Sequence, residues 1–177
     1  MNLISARNPH EALPIALDRL FKMGVERDSR NGKVLQLTGP TLIQYTHPLE
    51  RVVFWPERDA NPFFHFMEAM WMLAGRNDLE FVAQYAARMR SFSDDGKSLN
   101  GAYGYRWKEQ FGYNQLEFII DELKTSPLSR RAVLTMWDAG KFEEAEMNGD
   151  LYLNQMKSKD VPCNTHAYFA INSGGSL

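Results

Sequence analysis

From Pro9 to Met23 the apolar residues Ala12, Leu13, Ala16, Leu17, Leu20 and Phe21 recur at helical spacing. Pro14 falls early enough in this segment to be tolerated in a first turn, and Gly24 supplies a stop. The pattern then changes. Between residues 33 and 55, Val34, Leu35, Leu37, Leu42, Ile43, Tyr45 and Val52 to Trp55 are interrupted by Gly39-Pro40 and His47-Pro48, which predicts two or three strands. The clearest helix runs from Pro62 to Ala74, with Asn61 as N-cap and Gly75 as a left-handed terminator. It is apolar on nearly every side, the pattern of a buried helix. A second helix is predicted from Leu79 to about Met89, a loop from Ser91 to Asn100, and a third helix from Tyr113 to Leu123, closed by Pro127. Arg131 to Trp137 and Thr165 to Ile171 have strand character. The turn signal Asn172-Ser173-Gly174-Gly175 has no returning strand before Leu177, so the chain is expected to be a fragment. Alternating helices and strands, with two adjacent strands early, predict an α+β fold rather than a doubly wound one.

Composition narrows the class. The 177 residues are 44% hydrophobic and 24% charged, with 20 Lys+Arg against 22 Asp+Glu and a net charge of −2. That balance excludes disorder and argues against a nucleic-acid or membrane-surface partner. The length fits a single domain over residues 1–177. No apolar run approaches the roughly 18 residues of a membrane span, and the N-terminal segment lacks the long apolar run of a secretory signal. A lone cysteine, Cys163, cannot form an internal disulfide. The expectation is a soluble, cytoplasmic chain.

Four features carry possible chemistry. Glu68 lies in the apolar helix, with His65, Phe64, Trp71 and Met72 three and four positions away. Buried there, its carboxyl would take a raised pKa suited to acid/base work; on a wet edge, or paired with an arginine, it would be structural. Cys163, in Asp160-Val161-Pro162-Cys163-Asn164, is either a nucleophile favoured by nearby cations or a small inert core residue. Ser129-Arg130-Arg131 heads an apolar strand, where two guanidiniums could grip a phosphate or simply form a solvated cluster. Gly101-Ala102-Tyr103-Gly104-Tyr105-Arg106-Trp107 reads as a glycine-spaced aromatic loop. Other motifs fail. Gly96-Lys97-Ser98 lacks the first glycine of a phosphate-binding loop, Ser91 standing in its place. Asp94-Asp95-Gly96 lacks calcium-loop spacing, and the four His and one Cys lack zinc spacing, so no metal is expected.

The order of these features, from about Asp28 to the end of the chain, resembles thymidylate synthase and its pyrimidine hydroxymethylase relatives, especially phage-type members. Glu68 in FHFMEAMWMLAGRND is similar to the family's catalytic glutamate helix. Tyr103 in GAYGYRW resembles its Tyr-Gly motif, and Cys163 in VPCNTHAYF its nucleophile. Arg130 and Arg131 in SRRAVLTMWD resemble the arginine pair that reaches across a homodimer to the partner's nucleotide phosphate. Arg30 in DSRNGK is a looser match to an N-terminal phosphate arginine.

The resemblance implies a thymidylate synthase-like mixed sheet packed with helices. It implies a methyltransferase making dTMP from dUMP, with 5,10-methylenetetrahydrofolate as cosubstrate. A Cys163 thiolate would add to position 6 of the pyrimidine and make position 5 nucleophilic, while the arginines hold the phosphate. Glu68 would manage water and protons, and Tyr103 would assist removal of the position-5 proton. Two alternatives stand beside this reading: a dUMP or dCMP hydroxymethylase in which water captures the same adduct, and a non-catalytic binding or dimerisation module. Met89 and Phe92 stand about where synthases carry tryptophans, one of which is thought to protect an exocyclic methylene intermediate from water. Asn164 stands where the typical synthase has His. The family's later phosphate-binding arginine motif, its pyrimidine-reading Asn or Asp and its folate lid lie beyond the matching segments, so these residues are expected to be an N-terminal portion with the C-terminal part missing.

Overall fold

The computed structural model describes residues 1–29, 32–138, 142–143, 146–147, 158–172 and 174. They group into two units, Met1–Asn61 and Pro62–Leu177.

In the first unit, helix α1 (Pro9–Met23) has the predicted bounds. The Asn8 side chain accepts from the Glu11 N–H at 3.0 Å, and the Gly24 N–H closes the helix on the Leu20 carbonyl at 2.8 Å. Pro14 is the sixth helical residue, beyond the first turn. Lacking an N–H, it leaves the His10 carbonyl without a helical donor, and the Trp55 indole N–H takes that carbonyl at 2.9 Å. The Trp55 ring also stacks on His10 at 4.8 Å, and the Phe54 N–H donates to His10 Nδ1 at 3.1 Å. Residues 52–55 form no strand, and the Phe54 N–H that a sheet would pair is taken by His10 of α1.

Strands β1 (Asn2–Ala6), β2 (Val25–Ser29), β3 (Gly32–Gln36) and β4 (Thr41–Tyr45) complete this unit. β2 and β3 pair antiparallel, whereas β1 lies parallel to β4 with Ile4 opposite Ile43. The sequence pattern foretold β3 and β4 but neither β1 nor β2, because β2 (VERDS) is polar and exposed throughout. After β1, Arg7 Nε donates to Glu50 Oε2 at 2.8 Å, and Asn8 Nδ2 donates to the same oxygen at 2.7 Å. This pairing pulls the Glu50 carboxyl down to about 2.

In the second unit, helix α2 (Pro62–Leu73) ends as expected at Gly75, whose φ of 68° is left-handed. α2 is not buried on all sides: Phe64 and Trp71 are buried, while Phe63 is 77% and Phe66 65% exposed. The expected helix over 79–89 is divided. Helix α3 (Leu79–Ala83) stops, Ala86 is extended, and a 3₁₀ segment follows over Ala87–Phe92. Helices α4 (Tyr103–Lys108) and α5 (Gln115–Thr125) come next, the latter capped by the Asn114 side chain. Strand β5 (Val133–Thr135) pairs antiparallel with β8 (His166–Tyr168), and β6 (Phe142–Glu143) with β7 (Glu146–Met147). One core gathers Phe64, Trp71, Leu79 and Val82; a second gathers Ile119, Leu123, Leu134 and Met136. Small two-stranded sheets among helices give the α+β class. Among the described residues, no helix is long and apolar enough to cross a membrane.

Candidate active site

The segment expected to be an aromatic loop is helix α4, and Gly104 explains its placement. A Cβ on Gly104 would overlap the Met72 carbonyl of α2, so only glycine allows the two backbones to touch. Met72 is one turn beyond Glu68. The close approach therefore docks the glutamate's helix directly on the helix that begins with Tyr103.

α4 is anchored on its other side as well. Arg106 is fully buried and donates from Nε to the Asn100 carbonyl at 2.9 Å and from Nη1 to the Met136 carbonyl at 2.8 Å. Gln115, also buried, donates to the carbonyls of Arg106 and Thr135 and accepts the Thr135 N–H at 2.9 Å. Two buried polar side chains thus tie α4 and α5 to β5. Neither was singled out from sequence, because their carbonyl partners at Asn100, Met136 and Thr135 are set by the fold and not by any local pattern.

β5 in turn sets the thiol. Pairing with β8 opposes Thr135 to His166, and the Met136 N–H donates to the Thr165 carbonyl at 3.0 Å. The Trp137 indole N–H donates to the Asn164 carbonyl at 3.2 Å. Pro162 is buried and Cys163, just beyond it, is exposed, so the inert-core reading of the thiol does not hold. The Cys163 N–H donates to the Tyr103 hydroxyl oxygen at 3.3 Å. Tyr103 is half-buried, and burial raises its pKa above the ordinary 10.0; the nearby Cys163 thiol and Asp160 carboxylate push it further up, against the lowering effect of the Cys163 N–H.

Glu68 is half-buried on α2, and desolvation raises its carboxyl above the usual range, against the opposing charges of His65 and Arg88. The structure thus joins Tyr103 to Cys163 by a hydrogen bond, and packs the helix that bears Glu68 against the helix that bears Tyr103.

The arginines are not joined to them. Arg131 donates from Nε to Glu122 Oε1 at 3.1 Å, and Ser129 Oγ donates to the same oxygen at 2.5 Å. Arg130 is exposed. Among the described residues, no hydrogen bond or ion pair links either arginine to Cys163, Tyr103 or Glu68. Arg30 lies outside the described residues. Met89 packs against the first core, and Phe92 is 37% exposed. Among the described residues, no cluster of three or more His, Cys, Asp or Glu could hold a metal ion.

Comparison with known proteins bears on this geometry. A deoxyuridylate hydroxymethyltransferase of Pseudomonas phage M6 is 50% identical over 177 residues, covering 100% of this chain and 47% of that protein. One from Bacillus phage SP01 is 34% identical over 184 residues, covering 98% and 45%. A thymidylate synthase of Brachyspira hyodysenteriae is 25% identical over 117 residues, covering 63% and 39%. The chain spans about half the length of the curated relatives it matches. The family model described as Thymidylate synthase matches residues 16–174, a span that holds Glu68, Tyr103 and Cys163 together, and the chain belongs to the thymidylate synthase family.

Proposed function

We propose that this chain is the thiol- and carboxyl-bearing part of a deoxyuridylate hydroxymethylase, acting on dUMP. The observation that carries the reading is the exposed Cys163, held by its own N–H on the Tyr103 hydroxyl next to the helix that bears Glu68. An accessible thiol, a phenol and a carboxyl of raised pKa are the groups that addition to a pyrimidine ring requires. Hydroxymethyl transfer is favoured over methyl transfer by two supports. The phage relatives matched over nearly all of this chain carry that name. Met89 and Phe92 also stand about where synthases carry tryptophans, one of which the resemblance links to excluding water.

In this mechanism the Cys163 sulfur bonds to C6 of the uracil, and the displaced electron pair moves onto the C4 carbonyl. C5 then carries the nucleophilic density. Methylenetetrahydrofolate, when bound as cosubstrate, supplies a one-carbon unit at the oxidation level of formaldehyde. The donor set fits it, because the raised Glu68 carboxyl holds a proton closer to neutral pH than an ordinary glutamate and can give it to a departing amine. Tyr103, kept as a neutral phenol, assists loss of the C5 proton by hydrogen bonding. With C5 bonded to the transferred carbon, loss of the C5 proton and cleavage of that carbon's bond to the amine leave C5 doubly bonded to it. Water adds to this exocyclic carbon and gives up a proton, and the displaced electron pair restores the C5–C6 double bond as the thiolate leaves.

Arg130 and Arg131 are assigned to the nucleotide phosphate in a second copy of the chain, and Arg30 to the phosphate in its own. Arg131 must exchange Glu122 for the phosphate, a swap between anions. The homodimeric enzyme implied by the resemblance, and the single domain and cytoplasmic location expected from length and composition, belong to this same proposal.

The test is covalent capture of 5-fluoro-dUMP in the presence of methylenetetrahydrofolate, read by intact mass. An adduct is expected in the parent chain and none in Cys163→Ala. No thiol-dependent adduct in a folded chain would favour a nucleotide-binding module. In a protein that carries this chain over the full length of its relatives, dUMP is expected to give hydroxymethyl product without dihydrofolate, and dihydrofolate formed in step with product would replace this reading by methyl transfer.

A further inference from the structure

The segment leading to the thiol is fastened to the segment leading to Tyr103 by contacts that the proposed chemistry does not use. Asp160 Oδ2 accepts the Gly101 N–H at 2.7 Å, a short bond of the charge-assisted kind. The Asp160 carbonyl accepts from Asn100 Nδ2 at 3.0 Å. Asn100 is itself held, its carbonyl taken by the buried Arg106. Immediately before Asp160, Ser158 Oγ donates to Asp94 Oδ2 at 2.5 Å, and the Lys159 N–H donates to Asp94 Oδ1 at 3.3 Å. Residues 158–160 therefore lie along 93–101 as a rung of hydrogen bonds. A Cβ at Gly101 would stand 2.9 Å from Asp160 Oδ1, so alanine there would push the carboxylate out of its present position.

From this rung the chain has only Val161 and Pro162 to cross before Cys163, and Gly101 has only Ala102 before Tyr103. We propose that Asp160 is a positioning residue for the thiol: by fixing Gly101 it sets the spacing at which the Cys163 N–H meets the Tyr103 hydroxyl. Pro162 has a locked φ and is buried, so the short span passes the constraint on with little slack. The inference rests on Cys163 as the proposed nucleophile for its consequence in catalysis, but not for the contact itself.

Amide hydrogen exchange in the purified full chain tests the contact without any substrate. The Cys163 amide is expected to be protected in the parent chain and in Asp160→Asn, which keeps an acceptor oxygen for Gly101. In Asp160→Ala it should exchange about tenfold faster or more, the scale of one lost charge-assisted hydrogen bond. Gly101→Ala should have the same effect from the other side, and it leaves residues 158–164 unaltered if the aspartate variant folds poorly. Core amides of Ile119 and Leu123 serve as the control for global stability. Equal exchange at Cys163 in the parent and Asp160→Ala chains, or no rescue by Asp160→Asn, would overturn the proposal. Capture of 5-fluoro-dUMP reads the consequence. Its rate should fall about tenfold in Asp160→Ala while alkylation by iodoacetamide, which needs only an accessible thiol, changes little. Equal losses in both rates would overturn the positioning role. Loss of amide protection in Asp160→Ala, together with no adduct in the parent chain, would uphold the contact and instead remove Cys163 as the nucleophile.

Discussion

Glu68 shows what burial does to one carboxyl. Desolvation, opposed by His65 and Arg88, holds its folded pKa above the ordinary 4.5. A group that binds its proton more tightly when folded favours folding at low pH. That contribution is complete below about 4.5 and is lost as pH rises through the higher folded value. Glu68→Gln is therefore expected to raise Tm near pH 8 and to lose that advantage near pH 4. Thermal melts at the two pH values check it, and a gain of equal size at both would exclude the charged carboxylate as the cause. The glutamate was legible beforehand, because a lone charge among Phe64, Trp71 and Met72 stands out in any reading of the chain. Arg106 was not: its burial depends on the Asn100 and Met136 carbonyls, and the latter lies 30 positions away.

The same contrast holds for whole elements. α1 announced itself through helical periodicity and α2 through its flanking Asn61, Pro62 and Gly75, all local properties. Residues 52–55 and the Tyr-Gly segment instead meet partners distant in sequence, His10 and Met72, which no local pattern announces. Gly104 gives the sharpest expectation at this scale. Gly104→Ala must separate α2 from α4, so the chain should lose cooperative unfolding, or Tm should fall by many degrees, as followed by circular dichroism. A Tm close to the parent's would show that the helices have room to part. In the first unit, the Arg7–Glu50 pair gives the opposite pH sign from Glu68. The Glu50 carboxyl is depressed from 4.5 to about 2, so its contribution is present above 4.5 and lost as pH falls towards 2. The stability gap between the parent chain and Glu50→Gln should be constant from neutral pH to about 5 and close in acid. Denaturant titrations at several pH values measure it, and exposure of the pair keeps the gap small.

Across the molecule, large apolar side chains remain at the surface. On α2 alone, Phe63, Phe66, Met70 and Leu73 fall at spacings of three, four and three, and each is about half exposed or more. A stripe of this kind is sticky in water. The isolated chain is expected to bind a hydrophobic dye and to sediment faster as its concentration rises. Phe66→Lys with Leu73→Lys should reduce both effects. Unchanged sedimentation and dye binding in the double variant would locate the sticky surface elsewhere.

The parallel pairing of β1 with β4 has a kinetic corollary. Asn2 meets Thr41 across 39 positions of chain, whereas β2 and β3 turn back within a few residues. Closing the longer loop costs more chain entropy before any ladder bond repays it. On refolding, the β2–β3 hairpin should assemble early and the N-terminal strand should zip on last. On unfolding, that strand should be the first to fray, with Arg7 and Glu50 acting as its latch.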